Sequence, residues 1–376
     1  MMFLHTADWQ IGKGYGSFEA AEAALLAEAR FEVVAGIAEM ARGDGADLVL
    51  VAGDVFDAQG VADRTILRLF QAMSGYRGPW VMIPGNHDAA LAESVWSRAV
   101  RLGAIGSNVH LCLRPQPLVL DTPGVAILPA PLTQRHTFAD LTAWFDAAET
   151  PAGLPRIGLA HGSVQGILAE DIDAANPIAP GRAASARLDY LALGDWHGVR
   201  QVDERTWYSG TPETDRFRNN DSGQVLRVRI DAPGAAPLVT PLRTGRYRWL
   251  SLSRELRVGS DLAALVEELA RLERDDVVQL EIAGGIDLEG HLELERALAD
   301  AQARARSLSV ELGGLRIHPS AEDLQALRAD GYLGEVIEQL RRDQEGSDAQ
   351  TARDALGLLA RALERTGGAV DDGAPR

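Results

Sequence analysis

Lysine is all but missing from this 376-residue chain: Lys13 is the only one, so nearly all of the 37 basic residues are arginines. Cysteine is equally scarce. Cys112 stands alone, which excludes an internal disulfide and fits a reducing cytoplasm. No stretch approaches the roughly 20 consecutive apolar residues of a membrane-spanning helix. The opening run Met1–Thr6 lacks the basic region and cleavable apolar core of a signal peptide and reads as a first strand. These absences give the expectation of a cytoplasmic protein without membrane contact. Positive charge is short as well: 37 basic against 54 acidic residues leave a net charge of −17. That excludes a surface coated uniformly for nucleic acid. It does not exclude nucleic-acid chemistry, because a metal centre screens phosphate locally.

The length suits one large domain with a smaller one. Residues 1–245 alternate strand-like and helix-like segments. Apolar runs at Met2–Thr6, Asp47–Ala52, Trp80–Ile83, Pro117–Leu120, Val125–Leu128, Ile157–Ala160 and Tyr190–Leu193 read as strands. Helical spacing covers Glu19–Arg42 and Arg64–Met73, and late strands fall at Trp207–Tyr208, Val225–Ile230 and Leu238–Leu242. The pattern predicts a layered α/β sandwich with a mixed sheet. From Arg246 to His318 a βαβαβ rhythm predicts a small α/β lobe. Residues 319–365 predict a pair of amphipathic helices, Ala321–Arg342 and Ala349–Arg365, and 366–376 a disordered tail.

Five short polar clusters, most of them ending apolar runs, carry the chemistry. They are Asp8-Trp9-Gln10, Gly53-Asp54-Val55-Phe56-Asp57, Gly85-Asn86-His87-Asp88, His161-Gly162 and Gly194-Asp195-Trp196-His197. Each alone is more often a turn. Together they supply carboxylate, amide and imidazole groups for two neighbouring metal ions, a device for phosphate-ester cleavage. Asp8 and Gln10 are expected on one side of an extended segment, as are Asp195 and His197. The ligand mix suits manganese, iron or zinc, and magnesium less well.

These clusters resemble the pattern D-x-H, G-D-x-x-D, G-N-H-[DE], H and G-H-x-H of the calcineurin-like metallophosphoesterase superfamily. Leu4-His5-Thr6-Ala7-Asp8-Trp9, the GDVFD at 53–57, the PGNHD at 84–88 and Ala192-Leu193-Gly194 resemble its SbcD-type DNA repair exonuclease branch. The resemblance implies an α/β/β/α sandwich with a capping lobe and a metal-dependent exo/endonuclease acting on DNA. It implies one metal held by Asp8, Gln10, Asp54 and His197, and another by Asp54, Asn86, His161 and Asp195. By the same resemblance His87 is the catalytic histidine and the Asp57 carboxylate orients it. Gln10 and Asp195 depart from the family's histidines, which shifts the expected centre toward hard ions such as manganese and weakens the Gln10 side.

The segment Trp207–Glu213 resembles the family's Y-x-G-S-P stretch, which makes Tyr208 a candidate for stacking on substrate. In the resembled family the region after the lobe docks on an SbcC-type ATPase, so the C-terminal helices are the expected partner surface; a homodimer stays open. Two other functions compete: a phosphodiesterase or phosphatase on nucleotides or phosphoproteins, and a non-catalytic subunit with a weakened centre.

Overall fold

Along Leu48–Ala52 the side chains alternate between two cores: Leu48, Leu50 and Ala52 face one, Val49 and Val51 the other. A strand apolar on both faces must be covered on both. The computed structural model, which describes residues 1–167, 175–326, 331–347 and 349–367, shows how. The chain divides into two units, Met1–Tyr247 and Arg248–Arg376.

The first unit begins with β1 (Met2–Thr6), α1 (Ala20–Gly43), β2 (Leu48–Ala52), α2 (Asp63–Ala72), β3 (Trp80–Ile83), α3 (Val95–Arg101) and β4 (Val109–Leu111). It continues through β5 (Leu118–Leu120), β6 (Val125–Ala130), β7 (Arg156–His161), the short pair β8 (Ser163–Val164) and β9 (Pro177–Ile178), α4 (Arg182–Ser185) and β10 (Tyr190–Gly194). β11 (Arg200–Gln201), β12 (Thr206–Tyr208), β13 (Gln224–Arg229) and β14 (Leu238–Arg243) complete it. Two six-stranded sheets form, ordered β14-β13-β1-β2-β3-β4 and β11-β12-β10-β7-β6-β5. Both are mixed: the first is antiparallel on its β13–β14 side and parallel from β1 to β4, and the second has a parallel centre with antiparallel flanks.

Phe3, Leu50, Ile83, Ile127, Leu159 and Tyr190 pack between the sheets. Val34, Ile37, Ile66, Leu69 and Trp96 of α1–α3 cover the outer face of the first sheet. Phe145 and Ala183 cover Leu128, Leu191 and Leu193 of the second. The result is the α/β/β/α sandwich expected from the sequence. The short elements went unread: α3, a seven-residue helix opened by a Ser94–Ser97 capping box, the three-residue β4, and β8, β9, α4 and β11, each of two to four residues. The buried stripe of α1 contains one charge, Arg30, at 1% exposure.

In the second unit β15 (Arg248–Leu256), α5 (Gly259–Ala270), β16 (Asp276–Ile286), α6 (Leu288–Arg304) and β17 (Ser307–Ile317) form a parallel sheet in the order β15-β16-β17. Three helices follow: α7 (Ala321–Ala326), α8 (Tyr332–Asp343) and α9 (Ala349–Gly367). The single helix expected over Ala321–Arg342 is therefore two. Gly331, at φ 59°, precedes Tyr332 in a conformation that no helix continues through. Ile337 and Leu356 pack on Leu288 and Ile317, so the C-terminal helices share a core with the lobe. Of the tail expected to be disordered, Thr366 and Gly367 close α9, and 368–376 lie outside the described residues. Among the described residues no helix is long and apolar enough to cross a membrane.

Candidate metal centre

β1, β2, β3, β7 and β10 run parallel within their sheets, and their carboxyl ends open on one crevice, the usual place for chemistry in α/β folds. The backbone turns sharply there. Asp8 (φ 54°), Gln10 (φ 48°), Asp54 (φ 51°) and Asp195 (φ 100°) all have positive φ. Such backbone is costly for residues with a Cβ and clusters at functional sites. It corrects the reading that Asp8 and Gln10, or Asp195 and His197, share a face of an extended strand. β1 stops at Thr6 and β10 at Gly194, and left-handed residues then aim the side chains. The loops after β1 and β2 zip together through Asp8 N–H to Gly53 O (3.0 Å) and Gln10 N–H to Asp54 O (3.0 Å).

Close approach fixes two glycines. A Cβ on Gly53, itself at φ 88°, would collide with the His161 ring, and one on Gly85 would collide with Asp54. His161 donates from Nδ1 to the Ala52 carbonyl (2.8 Å), which leaves the Nε2 lone pair facing inward. Around that lone pair stand Asn86 Oδ1 at 3.1 Å, Asp54 Oδ1 at 3.6 Å and Asp195 Oδ1 at 3.7 Å. The same end of the Asn86 carboxamide is 3.0–3.1 Å from both Asp54 oxygens. Acceptors thus crowd acceptors in a buried space. A divalent cation among them relieves the crowding; without one, a proton on His161 Nε2 or turning the carboxamide so that nitrogen donates does so. Asp8, Asp54 and His161 also bring ligand atoms within 4.8 Å of one another.

Electrostatics agree. Burial pushes the fully buried Asp8 up to about 6, although His197 and His161 pull the other way. Burial opposes a charge on His161, yet Asp54, Asp8 and Asp195 together lift it to about 9. Burial raises Asp195 as well. A cluster that strains to hold its own charges is one a cation would complete. Asp54 is braced by the His87 backbone N–H at 2.9 Å, and the buried Asp88 clamps the loops by accepting from Val55, Phe56 and Gly85 N–H.

Several candidates stand differently from the sequence reading. The Gln10 side chain reaches Asp54 Oδ2 through Nε2 (2.9 Å), so it braces that carboxylate. His197 lies outside the close trio, its Nδ1 3.3 Å from Asp215 and 3.0 Å from Arg216 Nη2. His87 is held through Nδ1 by the backbone carbonyl of Asp57 (2.8 Å), not by the Asp57 carboxylate. Tyr208 is fully buried: its hydroxyl donates to Gly162 O (2.8 Å) and accepts from Val164 N–H (2.9 Å). It supports the loop after His161 from beneath, where no substrate can stack.

Sequence reasoning missed Asp215 altogether. At 1% side-chain exposure it faces Lys13 Nζ (2.6 Å), Arg30 Nη2 (3.7 Å), Arg216 Nε (3.1 Å) and His197. Arg30 in turn donates to the Trp9 carbonyl, between Asp8 and Gln10, and to the Tyr15 hydroxyl. The charged residue buried in the stripe of α1 was the one available signal. An open pocket of about 230 Å³ runs past the centre, lined by Asp54, Asn86, His87 and Asp195 and, beyond them, His136, Arg216 and Arg218.

A model of the calcineurin-like phosphoesterase family matches residues 1–223. The SbcD component of nuclease SbcCD from Rhodobacter capsulatus is 28% identical over 84% of this chain and 87% of its own length. Its namesake from Escherichia coli K12 is 27% identical over 83% of each. Among solved structures, TT1561 of Thermus thermophilus gives a TM-score of 0.42 at 11% identity, over 65% of this chain and 98% of its own.

Proposed function

The chain belongs to the calcineurin-like phosphoesterase family, and from that premise we propose that it is an SbcD-type nuclease that hydrolyses phosphodiester bonds in DNA. It is a metal-dependent phosphate-ester hydrolase. The observation that carries the nuclease reading is the extent of the likeness. The family match ends at residue 223, whereas the SbcD relatives align over more than four-fifths of the chain. A likeness in phosphoester chemistry alone would have stopped with the first unit.

Asp54, Asn86, His161 and Asp195 would hold one divalent cation. Asp8 and Asp54 would hold a second, for which Gln10 and His197 are the remaining candidates. Manganese suits a set this rich in oxygen, ahead of iron and zinc, with magnesium the hardest alternative. Bound ions polarise phosphoryl oxygens and lower the pKa of water for in-line displacement. His87, anchored through Nδ1, turns Nε2 to the pocket, where it can hydrogen-bond the phosphate and hand a proton to the leaving oxygen. The His87 backbone N–H keeps Asp54 in place while that happens.

The relatives' name makes each of them one part of a larger nuclease. We place a coiled-coil SbcC-type ATPase as the partner here, docking on the C-terminal helices, where Tyr332 and Leu358 stand exposed. Purified protein with manganese should degrade single-stranded or nicked DNA, and His87→Ala should abolish this. Robust turnover of a small phosphodiester with no cleavage of any DNA would remove the nuclease reading.

A further inference from the structure

The metal-facing wall of the pocket is acidic; the wall beyond it is not. His136, Arg216 and Arg218 line the same pocket, in a chain whose net charge is −17. Arg216 is not used up in neutralising Asp215. Three cations (Lys13, Arg30 and Arg216) converge on that one carboxylate, which leaves a surplus of positive charge. Arg30 is buried and spends its other donors on Tyr15, Trp9 O and Glu213 O, whereas the Arg216 side chain is 41% exposed and lines the pocket. Arg216 is also held in place: Nη2 sits 3.2 Å from Asp215 Oδ2 and 3.0 Å from His197 Nδ1.

The His136 part of that lining is built as well. Buried Asn176 accepts from Thr137 N–H (2.9 Å) and donates to Arg135 O (3.2 Å), so both neighbours of His136 are clamped. Arg218 sits two residues beyond Arg216 in a tight turn closed by Arg218 N–H to Arg216 O (2.9 Å).

An isolated phosphate monoester needs only the metal-facing wall. A polynucleotide brings further phosphates, each carrying a charge that an acidic protein repels. We propose that Arg216 and Arg218, with His136 of the same pocket, form a subsite for the phosphate next to the scissile one, which selects a polynucleotide chain over a simple phosphate ester. The proposal rests on the phosphoester reading above, and it deepens that reading by naming the group that confers specificity. Arg218 is the residue to test, because it is exposed and its removal leaves the Asp215 cluster intact.

Fluorescence anisotropy of a labelled oligothymidylate, in EDTA so that no metal contributes, compares the wild type with Arg218→Ala and Arg218→Lys. Arg218→Ala should weaken binding about tenfold and lower the slope of log K against log salt by about 1, while Arg218→Lys keeps the slope. With manganese, kcat/KM for a 5′-phosphorylated dinucleotide, taken relative to bis(4-nitrophenyl) phosphate, should fall about tenfold in Arg218→Ala, through KM. An unchanged salt slope, or an equal loss on both substrates, overturns the subsite. If the wild type cleaves neither substrate yet Arg218→Ala still lowers the slope, the phosphoester reading fails and the anion subsite stands.

Discussion

His197, half-buried, pairs with buried Asp215: the ring Nδ1 lies 3.3 Å from a carboxylate that Lys13, Arg30 and Arg216 also surround. Against its burial, the hydrogen bond from His197 and the charges of His197, Arg30 and Arg216 hold Asp215 far below the ordinary carboxylate range. A carboxylate hydrogen-bonded behind a histidine fixes the ring's orientation toward a metal.

Asp215→Asn should therefore lower manganese affinity by roughly 10–100-fold, the usual effect of removing such a partner. Calorimetric titration of the metal-free protein measures it. Unchanged affinity would mean that Asp215 serves only Arg30 and Lys13.

His87 and Asp57 allow a sharper distinction. His87→Ala should reduce kcat by about 10²–10⁴ with metal content intact. Asp57→Ala keeps the backbone carbonyl that holds His87, and should stay within roughly threefold of wild type, below the loss expected for an orienting group. A deep loss in Asp57→Ala would restore the carboxylate to the role that the sequence reading gave it.

Stability of the metal-free protein should fall as pH rises from 6.5 to 9. Burial lifts Asp88 and Glu213 to about 7, so the last of their ionisation falls at the start of this window, whereas Asp8, lifted to about 6, has ionised before it. Ionising these carboxyls costs more in the fold than in the unfolded chain, so each loses stability as pH rises toward its folded value. His161, lifted to about 9, contributes stability that is complete below 6.5 and is lost as pH climbs through 9. His5, held near 3 chiefly by burial, works the other way, but only below 6.5. Manganese requires ionised carboxylates and neutral His161, so its stabilisation should grow over the same window. Thermal melts in EDTA and in manganese at pH 6.5 and 9 test both halves; a metal-free melting temperature that rises with pH would refute the account.

Tyr208→Phe should destabilise the fold by about 1–3 kcal/mol, because Gly162 O and Val164 N–H each lose a buried partner. Metal-free DNA affinity should not move. A large loss of DNA binding without a change in melting temperature would revive stacking.

What the sequence made legible follows from where each residue sits. Asp8, Asp54, Asn86, His161 and Asp195 come shortly after or at the end of apolar runs, so strand pattern and residue type point to them together. Asp215, Arg216 and Arg218 lie in a stretch with no regular element, and nothing in their spacing marks them. The Asp57 carbonyl was invisible for a different reason: a backbone atom leaves no trace in residue identity. Gln10 was legible as a departure, but not the direction its amide would take. The break at Gly331 was hidden by helical spacing that continues on either side of it.

The missing side chain of Gly85, against which Asp54 rests, makes the turns after β2 and β3 a single mechanical part. A side chain at Gly85 would displace the Asp54 carboxylate and one at Gly53 would press on Gly85, so neither position can be redesigned alone. Engineering of this enzyme must therefore transplant both turns as a matched set and confine its variation to the rim that Arg218 occupies.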